Sequence, residues 1–322
     1  MNYQNLLSAI VTALLTCSSL AAHAASPAYP EKPIRLIVPS PPGGGNDIMA
    51  RIAAHHLTES WGKQVIVDNR PGAGGAIAFE MAARAEPNGY TLLLGSTNLT
   101  VLPDITKVAY SPVKDFDPIT LMAKSMNILL VHPSLPARNT QELIALARKS
   151  PGKLNYASST ATSVHLAAEL FKAMAGVDIT YIPYKGMGPA LIDLIAGNVN
   201  MAFSNPAASH GFVQSGKLRA LAVTGERRSN MMPEVPTIAE AALPGFEAST
   251  WWGILTPAGT PSTIINKTNT ELANALKLPA VTNRIAALGA DIVSGTPQAL
   301  ADHLREEISK WRKVVRAANI KL

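Results

Sequence analysis

An apolar run that leads into a glycine loop, residues 34–47, limits the possible folds of this chain more than any other stretch. Apart from one arginine, Ile34–Val38 is β-branched or aliphatic, the pattern of a strand buried on both faces of a parallel sheet. Prolines end the strand, and the glycines after them let the backbone approach a ligand closely. Asn46 or Asp47 is placed to cap a following helix, whose free N–H groups would form a site for an anion.

The same succession of strand, small polar turn and helix recurs in the first hundred residues. A strand at 64–68 precedes the glycine-rich turn 69–75, and a strand at 90–94 ends in small polar residues at 95–98. Such alternation indicates an α/β domain with a mostly parallel sheet, in which ligands lie beyond the carboxyl ends of the strands. We therefore expect ligand contact at 43–47 and 96–98. A structural turn is the favoured interpretation of 69–75, and a capping role that of Asp47.

A second group of strands and helices begins after a turn-rich passage at 112–118, which predicts the approach to a domain crossing. The sequence Asn-Thr-Gln-Glu at 139–142 predicts a capping box. Five hydroxyl residues lie within 158–163, directly before a predicted helix with a stripe of apolar residues on its buried face. Further strands are predicted at 127–131, 179–184, 199–203 and 218–224, a return strand at 251–255, and a long final helix capped by Thr296. We predict one α/β domain from 26–124 and 246–322, a second from 125–245, and a hinge and cleft between them.

The first 25 residues contain no Asp, Glu, Lys or Arg, and an apolar stretch there ends in the small-x-small pattern of Ala22-His23-Ala24. This pattern predicts an export signal, residues 1–25, cleaved near Ala24 or Ala25, and hence a periplasmic protein. Lipid anchoring at Cys17 is disfavoured because Thr16 stands where a smaller residue is preferred. After cleavage no cysteine remains, so disulfides and thiol chemistry are not expected.

Composition and motifs argue against several other classes of protein. The net charge of +6 is spread along the chain, and the densest basic segment, 310–316, is favoured as a solvated helix face, so no nucleic-acid partner is expected. Both glycine loops lack the third glycine of a dinucleotide site, and we expect no cofactor. The histidines show no HExxH spacing, so a metal site is not expected either.

Several further motifs carry a family resemblance that spans nearly the whole mature chain. They are Tyr29-Pro-Glu-Lys-Pro-Ile, Pro42-Gly-Gly-Gly-Asn-Asp-Ile-Met-Ala-Arg, Asn69-Arg-Pro-Gly-Ala-Gly-Gly, Asn88-Gly-Tyr-Thr-Leu-Leu, Pro151-Gly-Lys-Leu-Asn-Tyr-Ala-Ser, His165-Leu-Ala, Pro183-Tyr-Lys-Gly, Leu218-Arg-Ala-Leu-Ala-Val-Thr, Val235-Pro-Thr-Ile-Ala-Glu and Pro257-Ala-Gly-Thr-Pro. In these segments the chain resembles the Bug family, the extracytoplasmic receptors of tripartite tricarboxylate transporters.

The resemblance implies a type II periplasmic binding protein fold, with two α/β domains that close on a small organic anion. It implies a carboxylate held by backbone N–H groups, hydroxyls and water. Asn46 stands where Thr is common, and no acidic group lies near 204–205 to receive an ammonium, which favours a carboxylate without an amine. The resulting ligand-binding set is Ser40, Pro42, Gly43, Gly44, Gly45, Asn46, Asp47, Ser96, Thr97, Asn98, Ser158, Ser159, Thr160, Thr162, His165, Tyr184, Ser204 and Asn205.

Two alternatives stay open at this level. The hydroxyls of the Ser158 loop would suit a secreted hydrolase, although no nucleophile elbow or triad is visible in the sequence. A receptor could also serve a sensor kinase instead of the membrane permease subunits. We expect no catalytic residue, a monomer as the oligomeric state, and a core or hinge role for Trp251 and Trp252.

Overall fold

The computed structural model describes residues 29–159 and 162–320, and every element below belongs to the main unit of the chain, Lys32–Leu322. The predicted export signal lies outside the described residues. The strands are β1 (Ile34–Val38), β2 (Val65–Asn69), β3 (Thr91–Ser96), β4 (Phe116–Ser125), β5 (Ile128–Val131), β6 (Asn155–Ser158), β7 (Thr180–Pro183), β8 (Met201–Ser204), β9 (Arg219–Val223), β10 (Thr250–Pro257) and β11 (Asp291–Ile292).

The helices alternate with these strands, as the sequence pattern predicts. They are α1 (Gly45–Trp61), α2 (Ala76–Ala83), α3 (Thr97–Ile105), α4 (Thr140–Lys149), α5 (Ser163–Ala175), α6 (Met187–Ile195), α7 (Pro206–Gln214), α8 (Ile238–Ala241), α9 (Ser262–Ala275), α10 (Pro279–Ala286) and α11 (Pro297–Ala318). None of the helices in the described part of the chain combines the length and apolar character needed to cross a membrane.

The strands form two separate sheets. A six-stranded sheet has the order β11-β4-β10-β3-β1-β2, and a five-stranded sheet has the order β7-β6-β8-β5-β9. β1 pairs in parallel with β2 and β3, whereas β10 is antiparallel to both β3 and β4. In the other sheet β6 is parallel to β7 and β8, and β5 is antiparallel to β8 and β9. The predicted α/β class is confirmed.

Two of the antiparallel strands, β5 and β10, lie where the chain passes from one sheet to the other. β5 is the first strand after the chain leaves the six-stranded sheet, and β10 is the first strand after it returns. Only Met126 and Asn127 separate β4 from β5, so the chain passes directly from the six-stranded sheet into the five-stranded sheet. The exact domain boundaries at 125 and 245 remain a prediction.

Apolar residues fill the spaces between sheets and helices. We call each sheet with the helices that pack on it one half of the protein, and one apolar cluster contains elements from both halves. This cluster contains Phe171 of α5, Phe203 of β8, Val101 of α3 and Trp311 of α11, each at most 1% exposed. α11 contacts α3 and α5, which lie on different sheets. The C-terminal helix is therefore a shared packing surface for the two halves.

Two helix caps predicted from the sequence are confirmed. The side chain of Asn139 accepts a hydrogen bond from the Glu142 N–H at the start of α4, and that of Thr296 accepts from the Ala299 N–H at the start of α11. The first helix differs from the prediction, because α1 begins at Gly45 and its N-cap is Gly44. The Asp47 carboxylate accepts instead from the Gly43 N–H, at 2.9 Å.

Several elements were missed by the sequence pattern, among them β4, β6, β11, α3, α7 and α8. Residues 116–118, read as part of a turn, begin the ten-residue strand β4, although Pro118 would disfavour a strand. Register shifts in the β4–β10 pair accommodate the irregular ladder. α3 begins directly after β3 and contains Pro103, which hid its helical pattern, and β11 has only two residues.

A buried group of charges connects α11 to the segment that leads into β10. The Lys310 ammonium contacts the carboxylates of Glu247 and Glu307, and the Trp311 indole N–H donates to Glu307 at 2.7 Å. Burial raises the pKa of Glu307 despite the neighbouring lysine. Burial also acts to raise the pKa of Glu247, but the charge of Lys310 outweighs it and lowers that pKa. One ammonium thus balances two carboxylates that have little access to water.

Replacing this lysine should therefore destabilise the fold in a pH-dependent way. We expect Lys310→Met to lower the free energy of unfolding by about 3 kcal/mol at pH 7, because it leaves two buried carboxylates without a cation. Their pKa values would then rise above the unfolded values, so the deficit should grow with pH above about 4.5 and shrink below it. Urea unfolding at pH 7 and pH 4.5 measures both effects.

The exposed Lys313 on the same helix supplies the control, because no ion pair is recorded for it among the described residues. Lys313→Met should change stability by less than about 0.5 kcal/mol at either pH. Equal deficits for the two variants, or a Lys310→Met deficit that does not vary with pH, would contradict the assignment.

Candidate functional site

A cavity of about 200 Å³ lies where the strand ends of the two sheets face each other. We call it the cleft cavity. The described residues that line it are Pro39, Asn46, Gly74, Ser96, Thr97, Asn98, Thr162, Ser163 and Thr250. Most come from the six-stranded half, whereas Thr162 and Ser163 come from the five-stranded half. None of these residues carries a charged or titratable side chain, so any charge recognised here must be met by dipoles and hydrogen bonds.

Three helices begin at this cavity, and none of their N-termini is capped by a side chain. Asn46 is the second residue of α1, and Thr97 and Ser163 are the first residues of α3 and α5. In the part of the chain that the structure describes, the N-cap positions of these helices make no side-chain hydrogen bond to the helix. Four other helices have capping side chains, namely Asn139, Asn205, Thr237 and Thr296. The remaining helices α2, α6, α9 and α10 also lack a side-chain cap among the described residues, but none of them contributes a residue to the cavity. The three helix starts therefore direct N–H groups and positive dipole ends toward a shared space.

Buried hydroxyls near the cavity also lack a partner. Thr97 is only 2% exposed, yet its Oγ1 makes no hydrogen bond among the described residues. The Oγ of Ser158, at the end of β6, is likewise buried without a partner in that part of the chain. A buried hydroxyl without a partner costs free energy, and a bound polar ligand at Thr97 would remove that cost.

Asp47 organises the glycine loop before α1. Its carboxylate accepts hydrogen bonds from the Gly43 N–H at 2.9 Å, from Arg51 at 2.9 Å and from the Asn69 amide at 3.0 Å. Burial acts to raise the pKa of Asp47, but these three bonds outweigh it, so the pKa lies below its usual value. The carboxylate thus faces the loop and does not line the cleft cavity, and the predicted role of Asp47 as the helix cap is wrong, because Gly44 is the N-cap and the carboxylate bonds the Gly43 N–H that precedes it.

Three side-chain hydrogen bonds fix the polar groups around the cavity. The Trp252 indole N–H donates to Asn46 Oδ1 at 2.7 Å, and the Asn98 amide donates to the Gly74 carbonyl at 2.9 Å. The Thr250 hydroxyl donates to Ser163 Oγ at 2.8 Å. This last bond connects β10 to α5 and so joins the two sides of the cavity.

The cleft cavity brings together part of the set predicted from sequence. Asn46, Ser96, Thr97, Asn98 and Thr162 all line it. The predicted loop residues that do not line it are Ser40, Pro42, Gly43, Gly44, Gly45 and Asp47. Ser158 and Ser204 are fully buried at strand ends, Ser159 accepts a hydrogen bond from the Thr162 hydroxyl through its carbonyl, and Thr160 lies outside the described residues.

The remaining predicted residues have other surroundings. Asn205 caps α7, and the Tyr184 hydroxyl donates to Asp193. His165 lines a different cavity of about 300 Å³, where its ring stacks on Tyr181 with centroids 4.4 Å apart. Burial lowers the pKa of His165, which favours the neutral ring. In this structure, therefore, these three side chains do not contribute to the cleft cavity.

Sequence reasoning missed four residues of the cavity, Pro39, Gly74, Ser163 and Thr250. Ser163 was noted as part of the hydroxyl loop, and Gly74 was assigned to a structural turn. Thr250 was missed because the sheet was expected to be parallel. β10 runs antiparallel to β3, so its first residue, not its last, lies at the edge where β3 ends. The available signal in the sequence was that a polar residue, Thr250, directly precedes Trp251 and Trp252.

A larger cavity, of about 610 Å³, lies elsewhere between the two halves. Its described lining includes Lys124, Arg227 and His303 together with acidic residues, of which Glu247 belongs to the buried charge group. Its lining carries five acidic side chains, those of Glu226, Glu247, Asp291, Asp302 and Glu306, against the cations Lys124 and Arg227, so an excess of negative charge there disfavours an anion. Among the described residues, no group of three or more His, Cys, Asp or Glu side chains is arranged to hold a metal ion. We therefore take the cleft cavity, with its uncompensated dipoles, as the candidate site.

The loop-organising role of Asp47 gives a stability prediction. We expect Asp47→Asn to lower the free energy of unfolding by about 2 kcal/mol at pH 7, because buried hydrogen bonds to a carboxylate are replaced or lost. The pKa of Asp47 is depressed in the folded state, so its contribution is present above pH 4 and is lost as the pH falls through the folded pKa. The difference between variant and wild type should accordingly vanish in acid, as measured by urea unfolding.

Asp302→Asn is the matched control, because the Asp302–Arg305 ion pair lies about half exposed on α11. This variant should cost less than about 0.5 kcal/mol at pH 7. An Asp47→Asn variant as stable as Asp302→Asn would refute the role of the carboxylate in the loop.

Comparison with known proteins agrees with this architecture. The profile of the tripartite tricarboxylate transporter family receptor matches residues 49–320. Protein BugT of Bordetella pertussis (strain Tohama I) is 38% identical over 329 residues, which covers 100% of both chains. An R. palustris protein solved with adipate is 37% identical, with a TM-score of 0.77, over 91% of this chain and 99% of the other. MatC from Rhodopseudomonas palustris, solved with bound malate, is 31% identical, with a TM-score of 0.74, over 89% and 100%.

These matches extend over most of the chain, in sequence and in structure. They confirm the resemblance to Bug proteins and the periplasmic binding protein fold that it implied. The chain belongs to the tripartite tricarboxylate transporter receptor family.

Proposed function

We propose that the cleft cavity is the ligand site of a periplasmic solute-binding receptor, and that it captures a small carboxylate for a tripartite tricarboxylate-type transporter. The observation that carries this proposal is the meeting of three uncapped helix N-termini at a cavity whose described lining has no charged side chain. Helix N-termini are suited to anions, and here they come from both halves of the chain. A ligand that touches all three would hold the two halves together.

The expected binding free energies are large enough for a receptor. Each helix start contributes about 0.3–1 kcal/mol to anion binding, and up to about 2 kcal/mol in a partly buried setting. Hydrogen bonds from Thr97, Asn46 and backbone N–H groups to a carboxylate add to this, because bonds to charged groups are the stronger ones. Micromolar affinity corresponds to about −8 kcal/mol, which several such contacts can reach after the cost of ordering the ligand.

The cavity also restricts the chemistry of its ligand. No Asp or Glu lines it among the described residues, so an ammonium group would find no carboxylate partner there. Its volume of about 200 Å³ lies below the usual range of roughly 300–1,000 Å³ for small-molecule pockets, which favours a compact ligand. The relatives solved with adipate and malate support a carboxylate as the ligand class.

Receptors of this family are periplasmic and work with the membrane components of a transporter. For this chain, the signal-like residues 1–25 support export, with cleavage near Ala24 or Ala25 and without a lipid at Cys17. Delivery would proceed from the ligand-bound protein to the permease subunits, with a monomer as the working form. Binding to a sensor kinase instead of the permease remains the alternative.

The hydrolase alternative receives no support from the geometry. A nucleophilic serine needs a base within hydrogen-bond reach, whereas Ser158 Oγ is fully buried and has no hydrogen-bond partner among the described residues. Turnover of an ester or amide that is abolished by Ser158→Ala would nevertheless favour the enzyme.

Ligand capture is tested by a thermal-shift screen of succinate, malate, adipate and benzoate against alanine, glutamate and a polyamine. A carboxylate at about 100 times its dissociation constant should add about 2.7 kcal/mol of stability. The ligand recovered after incubation should be chemically unchanged. A preference for the polyamine, or chemical conversion of the acid, would overturn the proposal.

Thr97 gives a sharper test of where the ligand binds. We expect Thr97→Val to leave the unliganded protein at least as stable as wild type, because the replacement removes a buried hydroxyl that finds no partner among residues 29–159 and 162–320. The same variant should weaken carboxylate binding about tenfold or more, since one hydrogen bond to a charged group is lost. Thermal unfolding without ligand and calorimetric titration with the best acid measure the two effects.

Thr100 on the same helix provides a control in which the stability should change and the affinity should not. Its hydroxyl donates to the Thr97 carbonyl at 2.9 Å, so Thr100→Val should lower stability and leave the affinity nearly unchanged. If Thr97→Val bound the acid as tightly as wild type does, the ligand would not contact the start of α3.

A further inference from the structure

The orientation of the Asn46 amide is determined by Trp252. The Trp252 Nε1–H lies 2.7 Å from Asn46 Oδ1, and the tryptophan is only 4% exposed. An indole nitrogen can donate a hydrogen bond but cannot accept one. The atom of Asn46 that faces the indole must therefore be the amide oxygen, and the NH₂ group remains to serve the cleft cavity, which Asn46 lines.

The surroundings of Trp252 keep the indole in this position. Within β10, Trp252 is paired with Ser96 of β3 on one side and Ala123 of β4 on the other. The glycine loop packs directly on the ring, since a Cβ atom added at Gly45 would lie 3.4 Å from Trp252 Cζ2. The donor is thus held by a central strand of the sheet and by the loop that carries Asn46.

The side-chain amide of Asn98, the second asparagine that lines the cavity, is held through its nitrogen, whereas that of Asn46 is held through its oxygen. Asn98 donates one of its two Nδ2–H groups to the Gly74 carbonyl at 2.9 Å, so the NH₂ end of this amide is the end held by a partner. Two asparagines in one cavity are therefore held with different polarity by different partners. Asn46 is held through its oxygen by Trp252, so both of its N–H groups remain to serve a ligand.

We propose that Trp252 is a positioning residue for ligand selection and that Asn46, held by it, distinguishes a carboxylate from an uncharged amide of the same shape. This inference rests on the proposed function of the cleft cavity. Both oxygens of a carboxylate accept hydrogen bonds, so one can accept the Asn46 N–H while the other faces the N–H groups at the starts of α3 and α5. A carboxamide has only one oxygen, so its NH₂ group must face a donor on one of these two sides. Such an unpaired contact in a buried site reduces affinity strongly, so the orientation of one side chain sets the selectivity.

The experiment compares the full mature chain with Trp252→Phe, using calorimetric titration at pH 7. The probes are succinate, malate, adipate and benzoate, each with its matched carboxamide. We expect wild type to prefer the acid, and Trp252→Phe to reduce the ratio of acid to amide affinity about tenfold, because the freed Asn46 amide can turn over. A purely structural role would weaken both ligands equally and leave the ratio unchanged.

Trp251→Phe is the matched control for loss of ring volume. Trp251 is fully buried, and its indole nitrogen has no hydrogen-bond partner among the described residues. This variant should keep the wild-type ratio even if it lowers the melting temperature. Asn46→Asp is a second, independent variant, since its carboxylate can accept from Trp252 but offers the cavity only an acceptor. Its preference should reverse toward the amide.

The possible failures can be told apart. An unchanged acid-to-amide ratio in Trp252→Phe, or an acid preference retained by Asn46→Asp, would overturn this inference while the receptor function stands. A wild-type protein that binds none of the acids would overturn the proposed function and the inference with it.

Discussion

Backbone N–H groups at the start of a helix need a partner, and this requirement underlies the rest of the structure. At α4, α7, α8 and α11 a side chain supplies that partner. At α1, α3 and α5 no side chain does, and these three helix starts meet at the cleft cavity. The lining keeps small or polar residues there, and the one acidic side chain in the first turns of these helices within the described residues, that of Asp47 in α1, faces Gly43, Arg51 and Asn69 and does not line the cavity. Recognition then depends on the geometry of the backbone more than on formal charge.

The chain path makes this meeting possible. Strands that run in one direction place their carboxyl ends, and the helix starts after them, at one edge of each sheet. Strands β5 and β10, which run antiparallel to their neighbours, carry the chain from one sheet to the other in each direction. Thr250 therefore reaches the cavity from the start of a strand, and its hydroxyl joins Ser163 of the other half. Close pairing of β10 with β3 also places Trp252 beside Ser96 and beneath the glycine loop.

Much of the fold follows from local sequence patterns. The strand at Ile34–Val38, the caps at Asn139 and Thr296 and the α/β class all follow from periodicity and capping chemistry. β4 and α3 were missed because each contains a proline and depends on tertiary partners for its stability. In the site, Asn46 and Thr97 follow from strand-end position, but their hydrogen-bond partners do not. The bond from Trp252 to Asn46 spans 206 positions of sequence, and no local rule predicts which residues meet over that separation.

The packing of the C-terminal helix has a consequence for how such a receptor evolves. α11 touches both α3 and α5, which begin at the ligand cavity, and Trp311 belongs to an apolar cluster shared with Val101 and Phe171. Any change in the angle between the two halves must slide one of these helices over α11. If the two halves close on a ligand as the family resemblance implies, we expect substitutions on the inner face of α11 to shift the balance between open and closed forms, and so the affinity, while the residues that line the cleft cavity stay unchanged.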